Sequence, residues 1–197
     1  MTFRLGLTGS IGMGKSTTAK LFVEEGCPVW DADAAVHRLY ARGGAAVAPM
    51  ERALPNAVCD GAVCRNALKQ IIRHDPDALQ KIEEIVHPLV AEDRMAFLDK
   101  QIAPITVLDI PLLFETGTER YLDATAVVTT TPEEQRARVL ARGTLDSRDY
   151  EAILRKQMPD DEKRHRADYL IETDSISHAR EQVRAIIDDI RRNRLHA

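Results

Sequence analysis

Apolar and polar positions change period several times along the chain, and the changes mark out its elements. Phe3 to Leu7 is a short apolar-rich run ended by Thr8-Gly9, the pattern of a core strand. From Lys15 to Glu25, Ala19, Leu21, Phe22 and Val23 fit a helix that Gly26 closes. Pro28-Val29-Trp30 predicts a second strand, ending at Asp31. From there to about residue 103 the pattern is helical, broken at Gly43-Gly44, Pro55, Gly61, Pro76 and Pro88, and no strand is expected. Strand character returns at Ile105 to Leu108, followed by Asp109, and again at Ala124 to Thr129. Thr131-Pro132-Glu133-Glu134 is a helix start, with a hydroxyl cap, a proline at the first helical position and a glutamate placed for a capping box. A helix from about Ser147 to Met158, a strand at Tyr169-Leu170-Ile171 and a closing helix striped by Val183, Ile186, Ile187 and Ile190 complete the series.

Strands alternating with helices predict an α/β fold, a mostly parallel sheet with helices on both faces. The helical stretch after Asp31 is too long for one crossover and predicts an inserted subdomain. The 197 residues suffice for one sizeable core. A net charge of −4 gives the chain no electrostatic footprint for nucleic acid or an anionic membrane. Apolar runs never exceed four residues, so no transmembrane helix and no leader peptide is expected. Cys27, Cys59 and Cys64 form no Cys-x-x-Cys pair and read as reduced cytoplasmic thiols, neither a disulfide framework nor a zinc site.

Gly9-Ser10-Ile11-Gly12-Met13-Gly14-Lys15-Ser16 matches the phosphate-loop pattern G-x-x-x-x-G-K-[ST] in full, after a predicted strand and opening a predicted helix. Glycines let backbone N–H groups wrap phosphate oxygens, and the helix N-terminus adds positive potential there. Ile11, Gly12, Met13, Gly14, Lys15, Ser16 and Thr17 are thus expected to cradle the nucleotide. Lys15 should reach its outer phosphates and Ser16 should bind Mg²⁺. No Asn-Lys-x-Asp motif is present, which argues against a switch GTPase. Asp33, two residues after Asp31 at a strand end, is a candidate base for an acceptor hydroxyl, although an aspartate there also caps a helix. Asp109 ends its strand as a candidate metal-shell carboxylate. Arg136, Arg138 and Arg142, with Arg148 and Arg155, read either as a solvated helix face or as a phosphate-clamping lid.

Together these residues resemble the dephospho-coenzyme A kinase family. The resemblance is carried by the phosphate loop, Asp31-Ala32-Asp33, His87-Pro88 and Asp109-Ile110-Pro111-Leu112-Leu113-Phe114-Glu115, then by Gln135, Arg138, Arg142, Gln157-Met158, Lys163 and Ala167-Asp168-Tyr169. It implies a P-loop kinase fold with a nucleotide-binding core over residues 1–38, 104–135 and 165–197, a helical coenzyme A subdomain over 39–103 and a lid over 136–164. It further implies transfer of the ATP γ-phosphate, with Mg²⁺, to the 3′-hydroxyl of dephospho-coenzyme A. In that reading Asp33, Lys15, Arg138 and Arg142 are catalytic. Asp33, His87, Leu112 and Glu115 contact substrate, and Ser16 and Asp109 hold the metal. Three departures stand out: Gly143 where Asp commonly follows the lid arginine, His37 where Arg is frequent, and Thr173 and Ser175 in place of Asn and Gly near the adenine. Two alternatives remain open: another small-metabolite or nucleotide kinase of this fold, and a non-catalytic nucleotide sensor. Oligomeric state is not legible.

Overall fold

The computed structural model describes residues 2–143 and 145–195. Its chain divides into two units, one holding residues up to Trp30 and from Gln101 onward, the other Asp31–Lys100. In the first unit the strands β1 (Phe3–Thr8), β2 (Val29–Asp31), β5 (Ile105–Asp109), β6 (Ala124–Thr129) and β7 (Tyr169–Glu172) form one sheet in the order β2-β5-β1-β6-β7. β1 is parallel to both neighbours, with Leu5 opposite Val107 on one side and Ala124 on the other. β6 and β7 are also parallel. Such an interior must be apolar on both faces, and all five residues of β5 and all six of β6 are buried.

Helices α1 (Lys15–Glu24) and α9 (Ile176–Asp189) supply Leu21, Phe22, Val183, Ile186 and Ile187 to the core that encloses Leu5, Leu7, Val107 and Val128. Phe22 is fully buried there, and its truncation to alanine should cost about 3–5 kcal/mol. The connection from β6 to β7 holds α6 (Pro132–Ala141), α7 (Ser147–Leu154) and α8 (Asp160–Arg166), and α8 is tied to the sheet where Asp160 accepts from the Thr129 hydroxyl at 2.7 Å. Thr131 caps α6 by accepting from the Glu134 amide at 3.3 Å. The expected capping box does not close, because the Glu134 carboxylate is taken by the Thr130 hydroxyl at 2.7 Å and by Arg138 at 2.8 Å. The helix expected to reach Met158 ends at Leu154, which leaves Gln157 and Met158 in a loop.

The second unit contains α2 (Ala32–Tyr40), α3 (Val47–Ala53), β3 (Val58–Cys59), β4 (Ala62–Val63), α4 (Arg65–His74) and α5 (Ala78–Leu98), around Met50, Ala57, Val63, Leu68, Ile82 and Val86. Two expectations fail here. A hairpin exists where no strand was expected, because two-residue strands turning at Asp60-Gly61 are too short to show a period. Pro88 does not break α5. It sits on the exposed face, where water can satisfy the carbonyl that loses its donor, while Ile82 and Val86 hold the buried face. No described helix is long and apolar enough to cross a membrane.

Candidate active site

The loop between β1 and α1 is shaped by two glycines with positive φ, Gly12 at 80° and Gly14 at 91°. A side chain at Gly12 would fall 2.6 Å from Val139 Cγ2, and one at Gly14 would fall 3.0 Å from Thr173 Oγ1, so both strain and space demand glycine. Gly14 caps α1 without a side chain, which leaves the first helical amides for an anion. Met13 contributes backbone only, since its side chain is buried in the core. Ser16 and Thr17 stand exposed on the first turn. The Lys15 ammonium lies against the carboxylate of Asp109, which is 2% exposed at the end of β5. Parallel pairing of β1 with β5 brings the two together across 94 residues of sequence.

A cavity of about 550 Å³ opens beside this loop, walled by Gly14, Thr17, Arg138, Arg142, Thr173 and Ser175 among others. Arg138 is fixed in that wall. Its guanidinium donates to Thr173 Oγ1 at 2.9 Å, to the Thr173 carbonyl at 2.5 Å and to Glu134 at 2.8 Å. Thr173 in turn donates its hydroxyl hydrogen to the Met13 carbonyl at 2.8 Å. The Thr130 hydroxyl and then Arg138 hold the Glu134 carboxyl below its ordinary range. Arg142, one turn further, is exposed on the same cavity. The two arginines therefore differ: one is a wall, the other faces solvent.

A second set of contacts grips the loop from behind. Gln135 donates to the Ile11 carbonyl at 2.7 Å, and Gln157 accepts from the Ile11 amide at 3.2 Å. Tyr150 donates to Gln135 Oε1 at 3.1 Å. Glu115 accepts from the Met158 amide at 2.9 Å and is ion-paired with Lys163 at 2.9 Å, and Lys163 is completely buried. Burial pushes the Glu115 carboxyl up, but the hydrogen bonds from Lys163 and the Met158 amide outweigh it and leave the group below its ordinary value. The structure thus gives Glu115 protein partners, and Leu112 in the same segment is exposed. Within the lid range of residues 136–164, Thr144 lies outside the described residues. The grip on Ile11 was not foreseen from composition or period. A glutamine one turn into a helix and another in a loop carry no signal of their own.

In the second unit Asp31 takes the capping role, accepting from the Ala34 amide at 2.9 Å. Asp33 is left exposed in the first turn of α2 and free of that duty. His87 is exposed in the middle of α5. Arg38, beside His37, pairs with Asp93 at 2.7 Å.

Magnesium takes oxygen ligands and keeps several waters, so it needs one or two protein donors beside the phosphates. The Ser16 hydroxyl and the buried Asp109 carboxylate fit that demand. Among the described residues no cluster of three or more His, Cys, Asp or Glu side chains could cage a metal.

A family profile described as Dephospho-CoA kinase matches residues 3–178. A Ruegeria pomeroyi protein named Dephospho-CoA kinase is 63% identical over 197 residues, spanning all of both chains. A crystal structure from Thermus thermophilus superposes with a TM-score of 0.86 at 37% identity, covering 96% of this chain and 98% of the other. A dephospho-CoA kinase from Campylobacter jejuni gives 0.68 at 26% identity with the same coverage.

Proposed function

The chain belongs to the dephospho-CoA kinase family, and from that premise we propose which of its residues carry the reaction. The activity is phosphoryl transfer to an alcohol, with dephospho-CoA as acceptor. ATP is the donor, and the 3′-hydroxyl of the acceptor's ribose is the nucleophile. The observation that carries this reading is the phosphate loop with Lys15 set against buried Asp109.

The amides of residues 12–17 and the N-terminus of α1 bind the triphosphate through its oxygens. Lys15 bridges the outer phosphates and neutralises charge that develops as the bond to the leaving oxygen lengthens. Ser16 and Asp109 would hold magnesium, which when bound would supply further neutralisation of the phosphate oxygens. Arg138 forms a fixed side of the adenine pocket with Thr173 and Ser175, and Arg142 swings onto the transferring phosphoryl group. Asp33 accepts the proton of the attacking hydroxyl or orients it. Gln135 and Gln157 keep the loop in its binding shape through Ile11.

A coupled ADP-release assay with dephospho-CoA, nucleoside monophosphates, shikimate and gluconate tests the substrate. Turnover with dephospho-CoA should exceed the others by roughly 10²-fold or more. Equal or faster turnover of another acceptor overturns the reading.

A further inference from the structure

Cys59 and Cys64 are five positions apart and carry no sequence motif, yet the hairpin folds them together. Its register pairs Val58 with Val63 and Cys59 with Ala62, and the Cys64 amide donates to the Ala57 carbonyl at 2.8 Å. Residues 57, 59, 62 and 64 therefore share one face, with the two thiols on its diagonal. The turn between the strands is tight, with positive φ at Asp60 (51°) and Gly61 (74°). Cys59 is exposed and Cys64 partly so, whereas Cys27 is buried.

We propose that Cys59 and Cys64 form a thiol modification site, at which a hydroperoxide is reduced by two electrons as the pair closes to an intramolecular disulfide. Cys64 is the nucleophile. It stands at the N-cap of the ten-residue helix α4, where its sulfur makes no full capping bond. The Ala67 amide, then the Cys59 S–H and the Asn66 amide, still draw its thiol below the ordinary value. Cys59 moves the other way, because its hydrogen is given to Cys64. The Cys64 thiolate attacks one peroxide oxygen, an S–O bond forms as O–O breaks, and the departing hydroxide leaves as water after taking a proton. Cys59 sulfur then attacks the sulfenic sulfur. The S–S bond forms, S–O breaks, and the Cys59 proton leaves with that oxygen as a second water. The turn also reaches the segment after α2, through the Gly43 amide to the Gly61 carbonyl at 3.1 Å, so the site belongs to the same unit as Asp33.

The test uses the full chain with neither ATP nor dephospho-CoA, so its outcome is independent of the kinase assignment. After treatment with hydrogen peroxide at neutral pH, thiol titration under denaturing conditions should find one of the three thiols left. Intact mass should fall by two hydrogens, and peptide mapping should link Cys59 to Cys64, reversibly with dithiothreitol. Cys59→Ser should stop at a sulfenic acid on Cys64, trapped by dimedone, and Cys64→Ser should leave Cys59 unreacted at the same dose. The proposal is overturned if the wild type keeps all three thiols, if the link runs through Cys27, or if Cys64 passes to sulfinic acid beside an intact Cys59. Oxidation of Cys59 in Cys64→Ser at the wild-type rate overturns it equally.

Discussion

Arg138 and Thr173 are joined twice, the guanidinium donating to the threonine hydroxyl at 2.9 Å and to its backbone carbonyl at 2.5 Å. Thr173 is itself tied to the Met13 carbonyl of the phosphate loop and, through its amide, to the Thr129 carbonyl at 2.9 Å. One side chain of α6 is thereby locked to the end of β7 and to the loop, while Arg142, four residues on, is left exposed over the cavity.

That difference separates the two arginines kinetically. Arg138→Ala should raise the KM for ATP about tenfold or more, the scale of one lost charge-assisted hydrogen bond, with a smaller effect on kcat. Arg138→Lys should recover little, because the two-point contact needs the planar fork. Arg142→Ala should instead lower kcat by roughly 10²-fold. Steady-state kinetics with ATP varied checks both. Equal and small effects at the two positions contradict the assignment.

The grip on Ile11 predicts a loss of ATP binding without loss of fold. Gln157→Ala removes the acceptor for the Ile11 amide, and Gln135→Leu removes the donor to its carbonyl and orphans Tyr150. Each should weaken ATP about tenfold, the cost of a loop that must be ordered on binding, and Gln135→Leu should also lower thermal stability. Calorimetric titration of ATP reads the first effect. Wild-type affinity in both variants contradicts the positioning role.

Lys163 and Glu115 form a buried pair whose halves are unequal to each other's loss. Lys163→Met should cost about 3–5 kcal/mol by leaving Glu115 without its cation, and Lys163→Met with Glu115→Met should recover most of it. Glu115 has a lowered pKa in the folded chain, so its stabilisation is full above the ordinary carboxylate value of 4.5 and is lost as pH falls through the lowered one. Urea denaturation should therefore show the stability gap between wild type and Glu115→Gln shrinking between about pH 6 and pH 3. A gap that widens on acidification contradicts the pairing.

Much of this architecture is legible in the chain, and the rest is hidden for identifiable reasons. The sheet strands show because parallel strands buried on both faces are mostly apolar, as at Ile105, Val107 and Leu108 and at Ala124, Ala126, Val127 and Val128. The hairpin at Val58–Val63 does not show, since two residues per strand cannot establish a period. Pro88 misleads because local chemistry says break, while Ile82 and Val86 pack the helix through it. The phosphate loop is readable since its spacing is its chemistry. The contact of Lys15 with Asp109 and the grip of two glutamines on Ile11 are not, because only tertiary pairing brings those residues together.

Lys15→Ala should abolish transfer while the chain still folds, with a lowered melting temperature because the buried Asp109 carboxylate loses the ammonium against it. Lys15 opens α1 with its side chain mostly buried, and Asp109 stays held at the end of β5. Loss of more than about 10²-fold in kcat is expected for a group that neutralises transition-state charge. Single-turnover kinetics at saturating ATP separates this from weaker binding, and more than a tenth of wild-type kcat removes Lys15 from that role.

The assignment of Asp33 as the carboxylate that activates the acceptor hydroxyl is the centre of the account, and one variant tests it most directly. Asp31 already caps α2, so Asp33→Asn, nearly isosteric and exposed, has no structural reason to change the fold. The measurement is kcat of Asp33→Asn with dephospho-CoA and ATP, taken alongside its melting temperature and ATP affinity. A fall of roughly 10²- to 10⁴-fold in kcat, with the other two unchanged, is the predicted result. A kcat near that of the wild type contradicts it.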